Sequence, residues 1–297
     1  MLGIIQLIRP SQWSKNLILF TAVLFSPARV VAANPAVLLR ATQGFLAFCF
    51  LSASVYALND LLDLESDRNH PKKQNRPIPS GKVTPSGAAM ISAAFGIVGI
   101  AWAFLLDYYF GWIAVAYLLA NLGYSIGLKK VAILDVLLLS LGFVFRAVGG
   151  VAVIRLMLPD AYVSYWLILC AFLLSLFLAL AKRRHEIALL GEDAAKHRAS
   201  LADYNLPFID QMIAILTAAT LVAYSLYTIS DDTLKHYGTR NLFWTLPFVL
   251  YGLFRYLYLI YRQGKGGDPS SLLVRDKPTL ANVVLWGIAT ACIVYFG

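Results

Sequence analysis

Four oxygen-bearing side chains follow one another at short spacing where a long apolar stretch ends. They are Asn59, Asp60, Asp63 and Asp67. On an α-helix, positions 60, 63 and 67 share one face with Tyr56, and Asn59 lies one turn before Asp63. Mg²⁺ prefers oxygen ligands and usually binds through one or two carboxylates together with substrate phosphates. The spacing therefore predicts a site for a magnesium-bound phosphate substrate, with an ordinary solvated turn at a helix end as the alternative.

A basic segment follows this acidic cluster directly. Residues 68–82 contain five cationic side chains, which are Arg68, Lys72, Lys73, Arg76 and Lys82. The same segment contains Pro71, Pro77 and Pro79, and each proline fixes its own backbone φ angle. A stiff run of positive charge next to a cation site predicts that the substrate is an anion.

A second charged segment, at residues 182–207, begins with Lys182-Arg183-Arg184-His185-Glu186 and continues to Arg198. It is mainly basic, so it offers cations for a second anionic group. The alternative is a membrane anchor, because Lys and Arg commonly flank membrane spans on the cytosolic side. Glu186 follows Lys182 by one helical turn, and we expect it to orient that ammonium group or to contact the metal.

Arg146 lies inside a long apolar stretch, about 14 residues or roughly 20 Å along a helix from its predicted start. An ionisable residue at such a depth in a membrane span usually faces a cavity or a partner. Arg146 is therefore a candidate ligand-binding residue, and a strut between helices is the alternative. Lys129 and Lys130 lie in a short loop and are candidates for phosphate or simple topology signals.

The composition predicts an integral membrane protein. The 297 residues are 59% hydrophobic and 14% charged, with a mean hydropathy of +0.68. Nine apolar stretches approach the roughly 20 residues that a helix needs to cross a bilayer. They lie near 16–34, 42–62, 87–107, 110–128, 132–154, 162–181, 208–229, 242–261 and 280–297. Because the alternation of a membrane barrel is absent, we expect an all-α bundle of nine transmembrane helices.

The distribution of basic residues predicts the orientation of this bundle. Of the 25 Lys and Arg residues, 18 lie at the N-terminus or in the even-numbered loops, which follow the second, fourth, sixth and eighth predicted spans. The positive-inside rule then places the N-terminus and the acidic cluster in the cytosol and the C-terminus outside the cell inner (plasma) membrane. The net charge of +9 belongs to loops that flank spans, so nucleic acid is not an expected partner.

The sequence resembles the UbiA superfamily of intramembrane prenyltransferases, nine-helix bundles with an N-D-x-x-D-x-x-x-D motif after the second helix. Asn59, Asp60, Asp63 and Asp67 match that motif. Further similarity includes the Arg-Pro-x-x-Trp start, the Asp67-Arg68 pair and the Arg-Pro-Ile segment; these residues are Arg9, Pro10, Trp13, Arg68, Arg76, Pro77 and Ile78. The resemblance implies one UbiA-like transmembrane domain over residues 1–297, with cytosolic caps at about 63–86 and 182–207.

One departure from the family pattern refines the expected activity. Most of the superfamily carries a second acidic motif, D-x-x-x-D, and Asp193, Asp203 and Asp210 do not have this spacing. The chain is instead similar to the decaprenyl-phosphate phosphoribosyltransferase branch, which shares the start that is Arg9-Pro10-Ser11-Gln12-Trp13-Ser14-Lys15-Asn16 here. This resemblance implies Mg²⁺-dependent transfer of 5-phosphoribosyl from phosphoribosyl pyrophosphate to a polyprenyl phosphate, with release of pyrophosphate, in cell-envelope biosynthesis.

The same resemblance implies a role for each candidate residue. Asn59, Asp63 and Asp67 are the expected metal ligands, and Asp60, Asp63 and Asp67 are the expected catalytic carboxylates. The phosphates and the ribose of the donor are assigned to Lys15, Tyr56, Arg68, Lys73, Arg76, Lys130 and Arg146. The phosphate of the lipid is assigned to Lys182, Arg183 and Arg198, and Glu186 belongs to the same substrate site as the residue that orients Lys182 or contacts the metal.

Two other functions compete with phosphoribosyl transfer. The first is a prenyltransferase of the same fold that moves a prenyl group from its diphosphate to an aromatic acceptor, and the absent second acidic motif argues against it. The second is a transporter or flippase for an anionic lipid, in which Asp60, Asp63 and Arg146 would relay ions or substrate. The predicted acids lie at the end of a span rather than at mid-membrane, which argues against transport.

Overall fold

The structure is a computed structural model that describes residues 2–24, 26, 34–69, 73–158, 164–191, 198–267, 272 and 275–296. Within these ranges the chain forms helices and no strand. The α-helices are α1 (Leu2–Ile8), α2 (Thr21–Leu24), α3 (Ala36–Leu62), α4 (Leu64–Arg68), α5 (Pro85–Leu106), α6 (Tyr108–Ile126), α7 (Leu134–Ile154), α8 (Tyr165–Leu190), α9 (Leu206–Ile229), α10 (Asp231–Tyr237), α11 (Leu246–Gln263) and α12 (Lys277–Phe296).

Eight of the described helices are long and apolar enough to cross a membrane, namely α3, α5, α6, α7, α8, α9, α11 with its preceding 3₁₀ turn, and α12. They correspond to eight of the nine predicted spans and confirm an all-helical, multi-pass membrane architecture. The ninth span, predicted at 16–34, overlaps the 3₁₀ helix Pro10–Phe20 and α2. Residues 25 and 27–33 lie outside the described residues, so that span stays a prediction.

Side-chain caps determine where several helices begin. Thr84 accepts a hydrogen bond from the backbone N–H of Gly87 at 3.1 Å, and Pro85 occupies the first helical position of α5. Asp107 accepts from the backbone N–H groups of Tyr109 and Phe110 at 2.8 and 2.9 Å. These bonds satisfy N–H groups that have no partner within their own helix. A single residue, Asp107, therefore separates α5 from α6.

The described chain divides into two compact units. Unit 1 comprises Met1–Lys129 and Leu141–Tyr162, and unit 2 comprises Lys130–Ser140 and Val163–Gly297. Helix α7 begins in unit 2 and continues in unit 1. The predicted caps at 63–86 and 182–207 include residues 70–72 and 192–197, which lie outside the described residues, and the single-domain organisation stays a prediction.

In unit 1, small residues let α3 and α5 approach closely. A Cβ atom at Gly99 would lie 2.8 Å from Leu51 Cδ2, so a larger residue there would push the helices apart. Ser54 Oγ donates to the backbone carbonyl of Ser92 at 2.7 Å, and Ser92 Oγ donates to that of Ser54 at 2.9 Å. This reciprocal pair fixes the register of the two helices. It thereby fixes the position of the acidic residues at the end of α3.

In unit 2, helices α8, α9 and α11 share an apolar core. Phe177, Ile213 and Tyr256 are buried within it, and the rings of Phe177 and Tyr256 lie 5.5 Å apart. The core holds the end of α8, where the second charged segment begins.

Asp276 stabilises the start of α12, and its replacement tests this role. Asp276 caps this helix by accepting from Thr279 N at 3.1 Å and Thr279 Oγ1 at 2.6 Å. Replacing it in Asp276→Ala is expected to lower the free energy of unfolding by about 1 kcal/mol, the usual effect of losing such a cap. Thermal unfolding in detergent measures this change. Asp231→Ala is the matched control, because the Asp231 side chain is 80% exposed, and an equal loss in both variants would contradict the capping role.

The stabilisation that Asp276 provides depends on pH. Hydrogen bonds from the Arg255 guanidinium hold the pKa of Asp276 below its usual range. A depressed pKa means that the stabilisation is complete above the ordinary value of about 4 and is lost as the pH falls towards the lower value. The stability of Asp276→Ala should therefore vary less with acid pH than that of the unmodified protein.

Candidate active site

The acidic cluster lies where α3 ends and α4 begins. Asp63 leaves the helical conformation, with φ −91° and ψ 4°, and the backbone N–H of Asp67 then donates to the Asp63 carbonyl at 2.8 Å. The chain therefore turns at Asp63 and resumes a helix for one more turn. Asp60 and Asp67 are buried, with side chains only 1% exposed, while Asp63 is half-buried.

Two guanidinium groups neutralise the buried carboxylates of this cluster. Arg76 Nη1 donates to Asp60 Oδ1 at 3.0 Å and to Asp67 Oδ2 at 2.6 Å, so one cation joins both acids. Arg9 Nη2 donates to Asp60 Oδ1 at 2.5 Å. Arg9 has a positive φ of 49° directly before Pro10, and this turn places its side chain next to α3. The Arg-Pro-x-x-Trp start thus contributes a charge to the acidic cluster.

Asn59 and Asp63, two of the three predicted metal ligands, contact a lysine. Lys129 Nζ pairs with Asp63 Oδ1 and lies 3.4 Å from Asn59 Oδ1. Asn59 Nδ2 donates to Asp63 Oδ2 at 3.2 Å. Lys129 belongs to the short 3₁₀ helix Leu128–Lys130 that follows α6. The four residues of the cluster therefore form two pairs, Asp60 with Asp67 and Asn59 with Asp63, and each pair is held by its own cations.

The chemistry of these residues fits a divalent cation. Among the described residues, no three His, Cys, Asp or Glu side chains already form a metal cage. Asp60 Oδ2, however, is buried and has no hydrogen-bond partner in the described part of the chain. Such an unpaired acceptor costs roughly 1–3 kcal/mol, and carboxylate oxygens are the ligands that Mg²⁺ prefers. The assignment of Asn59, Asp63 and Asp67 to a metal stays a prediction.

Arg146 is buried, with 6% of its surface exposed. Its Nε donates to Asn16 Oδ1 at 2.7 Å, its Nη1 to the carbonyl of Gly142 at 2.7 Å, and its Nη2 to Tyr117 Oη at 2.9 Å. Ser52 on α3 donates to the same Asn16 oxygen at 3.2 Å. All of these residues belong to unit 1. The deep arginine is therefore held in a polar cluster rather than among lipid-facing side chains.

In unit 2, a buried carboxylate organises the second charged segment. Asp135, which is fully buried, accepts hydrogen bonds from Arg183 Nε at 2.9 Å, Ser200 Oγ at 3.2 Å and Tyr204 Oη at 3.0 Å. Arg198 Nε lies 3.8 Å from Asp135 Oδ2. Burial raises the pKa of Tyr204 to about 12, so its hydroxyl remains a hydrogen-bond donor at neutral pH. Asp135 thus ties residues 198–204 to the end of α8.

Arg183 has a second carboxylate partner in Glu186. Its Nη1 donates to Glu186 Oε2 at 2.8 Å, while its own side chain is 2% exposed. Lys182, one residue earlier, is exposed. The structure therefore brings Arg183, Glu186 and Arg198 together around Asp135, and Lys182 lies at the surface of the same unit.

The remaining predicted residues occupy different environments. Tyr56 is half-buried, and the Arg9 guanidinium carbon lies 5.3 Å from the centre of its ring. Lys73 Nζ lies 3.9 Å from Asp67 Oδ1. Lys15 is half-buried in the 3₁₀ helix Pro10–Phe20, while Arg68 and Lys130 are exposed. The sequence predictions do not assign Arg9 or Asp135 to a site. They consider both Lys129 and Lys130 for phosphate and assign only Lys130 to the substrate, whereas Lys129 is the residue that contacts the cluster.

Arg76 provides a test of how the negative charges of Asp60 and Asp67 are neutralised. In Arg76→Ala, the buried Asp67 would keep its ion pair with Lys73, and Asp60 would keep its ion pair with Arg9. We expect a loss of roughly 2 kcal/mol in stability, because removing one partner leaves buried charge uncompensated. Adding Mg²⁺ should raise the melting temperature of this variant more than that of the unmodified protein. Arg68→Ala is the control, since Arg68 is exposed; an equal response to Mg²⁺ in all three proteins would contradict a cation-binding role.

Comparisons with known proteins agree with this architecture. A family model described as the UbiA prenyltransferase family matches residues 17–277. A protein of Mycolicibacterium smegmatis named decaprenyl-phosphate phosphoribosyltransferase is 30% identical over 99% of this chain and 93% of its own length. A protein of the same name from Corynebacterium glutamicum is 31% identical over 99% of this chain and 87% of its own.

A solved structure shows the same fold. The UbiA homologue of Archaeoglobus fulgidus bound to DMAPP and Mg²⁺ superposes with a TM-score of 0.72 over 98% of this chain and 99% of that one, at 17% sequence identity. The family match covers most of the chain, and the full-length relatives are transferases. This multi-pass membrane protein is therefore a transferase and belongs to the UbiA prenyltransferase family.

Proposed function

We propose that the protein transfers the 5-phosphoribosyl group of phosphoribosyl pyrophosphate to a polyprenyl phosphate in a Mg²⁺-dependent reaction and releases pyrophosphate. The observation that supports this most is the likeness, over nearly the whole chain, to proteins named decaprenyl-phosphate phosphoribosyltransferase. The geometry of unit 1 adds a physical reason. The carboxylates of the acidic cluster are paired with Arg and Lys side chains. A site for a diphosphate and its metal ion requires both kinds of group, carboxylates for the metal and cations for the phosphates.

The donor is assigned to unit 1. Asn59, Asp63 and Asp67 would hold Mg²⁺, with the unpaired Oδ2 of Asp60 as a further oxygen, and the ion would supply charge neutralisation for the leaving diphosphate. When the diphosphate binds, Arg9, Arg76 and Lys129 exchange their carboxylate partners for phosphate oxygens. Guanidinium groups suit this exchange, because they bind carboxylate and phosphate with the same forked geometry. Lys15, Tyr56, Arg68, Lys73, Lys130 and Arg146 remain the proposed contacts to phosphates and ribose.

The reaction breaks the bond between C1 of ribose and the diphosphate oxygen, and the electron pair leaves with pyrophosphate. An oxygen of the lipid phosphate forms the new bond to C1, which passes through an oxocarbenium-like state. This oxygen is already anionic near neutral pH, so a strong general base is not required. The protein contributes positioning and charge neutralisation.

The phosphate of the lipid is assigned to unit 2. Lys182, Arg183 and Arg198 are its proposed contacts, and Glu186 orients Arg183 through the 2.8 Å hydrogen bond. Arg183 is also bound to Asp135, which holds its guanidinium group in one orientation. A guanidinium that is held in this way loses little side-chain entropy when it binds a phosphate.

The membrane supplies one of the two substrates. We propose that the protein lies in the cell inner membrane with its N-terminus and acidic cluster in the cytosol and its C-terminus outside. The excess of basic residues in the even-numbered loops supports this orientation. The donor then arrives from the cytosol and the polyprenyl phosphate from the bilayer, and the product serves cell-envelope synthesis.

A transfer assay with two donors tests the proposal. Purified protein in lipid nanodiscs receives Mg²⁺, polyprenyl phosphate and phosphoribosyl pyrophosphate labelled in the ribose, and label is counted in the organic phase. A parallel reaction contains a labelled prenyl diphosphate and an aromatic acceptor. We expect ribose label in the lipid only when Mg²⁺ is present. Transfer of prenyl label to the aromatic acceptor, with no ribose transfer, would overturn the proposal in favour of a prenyltransferase.

A further inference from the structure

Arg146 has an uncompensated charge. In the described part of the chain its three hydrogen-bond acceptors are an amide oxygen, a backbone carbonyl and a phenol oxygen, and none is a carboxylate. An arginine keeps its proton at any physiological pH, and a buried charge without a counterion is unfavourable. The aromatic ring of Tyr117, 4.9 Å from the guanidinium carbon, gives only partial compensation. Arg183 is the other buried arginine in the described part of the chain, and it has carboxylate partners.

A polar stripe on α3 connects this arginine with the acidic cluster. Cys49, Ser52, Tyr56, Asp60 and Asp63 are separated by three or four residues each, so they lie on one face of the helix. Ser52 shares Asn16 with Arg146, and Tyr56 lies against the Arg9 guanidinium that binds Asp60. All of these residues belong to unit 1. Eight residues of helix separate Ser52 from Asp60, which corresponds to about 12 Å.

We propose that Arg146, with Tyr117 and Asn16, binds a phosphate monoester at the inner end of this stripe. The choice of ligand rests on the proposed function: a pentose with a diphosphate at C1 and a phosphate at C5 spans such a stripe, with its diphosphate at the acidic cluster and its 5-phosphate at Arg146. The lipid phosphate has the same headgroup chemistry. Because the stripe begins at the acidic cluster, the structure favours the 5-phosphate of the donor.

The hydrogen-bond donors around Arg146 suit a phosphate ligand. A guanidinium carries five N–H groups, and the hydrogen bonds to Asn16, Gly142 and Tyr117 use three of them. The remaining N–H groups and the hydroxyl of Tyr117 can donate to phosphate oxygens. The three existing bonds hold the guanidinium in place, so little side-chain freedom is lost on binding.

Equilibrium dialysis of the purified protein in nanodiscs tests the inference. The probes are labelled ribose 5-phosphate, pyrophosphate with Mg²⁺, and a short-chain polyprenyl phosphate. Arg146→Gln is expected to bind ribose 5-phosphate roughly tenfold to a hundredfold more weakly, as loss of a charged hydrogen-bond donor predicts. The same variant should keep its affinity for Mg²⁺-pyrophosphate, and Asp63→Ala should show the opposite pattern. Selective loss of polyprenyl phosphate affinity would support the phosphate site and assign it to the lipid.

Control variants separate binding from a strut that only joins helices. Arg155→Gln removes another guanidinium of unit 1, one that already faces Asp107 at 3.5 Å and is 41% exposed, and should leave all three affinities unchanged. Arg146→Lys and Tyr117→Phe decide the question if Arg146→Gln does not fold, because each keeps most of the packing. Unchanged phosphate affinity in the folded Arg146 and Tyr117 variants, with only a lower melting temperature, would overturn the inference. Since dialysis needs no turnover, a failed transfer assay would reject the proposed reaction without affecting this result.

Discussion

Asp63→Ala is expected to reduce phosphoribosyl transfer by at least roughly 100-fold, because it removes a proposed ligand of the cation that would neutralise the leaving diphosphate. Asp63 is half-buried and pairs with Lys129, so the variant also leaves that ammonium without its carboxylate. The initial rate of ribose label transfer, measured at saturating substrates and at several Mg²⁺ concentrations, gives the size of the effect. Raising the Mg²⁺ concentration should recover little activity.

Glu65→Ala is the matched control for Asp63→Ala. Glu65 is an acidic residue of α4 two positions away, and its side chain is exposed. We expect its activity to stay within about twofold of the unmodified protein, as for most exposed charges that touch no substrate. Equal losses in the two variants would show that general negative charge matters and that Asp63 is not a metal ligand.

Asp135→Ala is expected to produce the largest loss of stability. It would leave Arg183, whose side chain is 2% exposed, without its main carboxylate, and it would remove the acceptor of Ser200 and Tyr204. Breaking a buried ion pair from one side costs roughly 3–5 kcal/mol. The yield of folded protein and its melting temperature in detergent measure this loss.

Two further variants give the size of that effect a reference. Asp210→Ala breaks the ion pair with Arg184. The Arg184 side chain is 18% exposed and that of Asp210 is 34% exposed, so the loss of unfolding free energy should be no more than about 1 kcal/mol. The double variant Asp135→Leu with Arg183→Met should recover part of the stability lost in Asp135→Ala, because it leaves no buried charge behind. No difference between Asp135→Ala and Asp210→Ala would mean that the Asp135 cluster does not anchor residues 198–204.

The helices and the acidic face of α3 could be predicted because both depend on short-range periodicity. Of the nine predicted apolar stretches of about 20 residues, eight correspond to long apolar helices in the described part of the chain. Asp60, Asp63 and Asp67 are close in sequence, so local spacing alone places them in one segment, although the chain leaves the helical conformation at Asp63. The partners of these acids could not be predicted in the same way. Arg9 is 51 residues from Asp60 and Lys129 is 66 residues from Asp63, and no local pattern relates them.

The second charged segment illustrates the same limit. A run of basic residues at the end of a span is typical of an exposed membrane anchor, and Lys182 is indeed exposed. Arg183, its neighbour, is buried because Asp135, 48 residues earlier, accepts its hydrogen bond. Asp135 occurs alone in an apolar stretch, which is itself a signal, since a lone acid in a membrane helix requires a cationic partner. The sequence indicates that such a partner exists but does not identify it.

The fate of one oxygen atom tests the central claim most directly. Phosphoribosyl pyrophosphate with ¹⁸O at the oxygen that joins C1 to the diphosphate is incubated with the protein, Mg²⁺ and polyprenyl phosphate, and both products are analysed by mass spectrometry. If the lipid phosphate attacks C1, all of the ¹⁸O leaves with pyrophosphate, and the lipid gains a phosphoribosyl group without ¹⁸O. A lipid product that retains ¹⁸O, or no phosphoribosylated lipid from an otherwise folded protein, would contradict the proposed reaction.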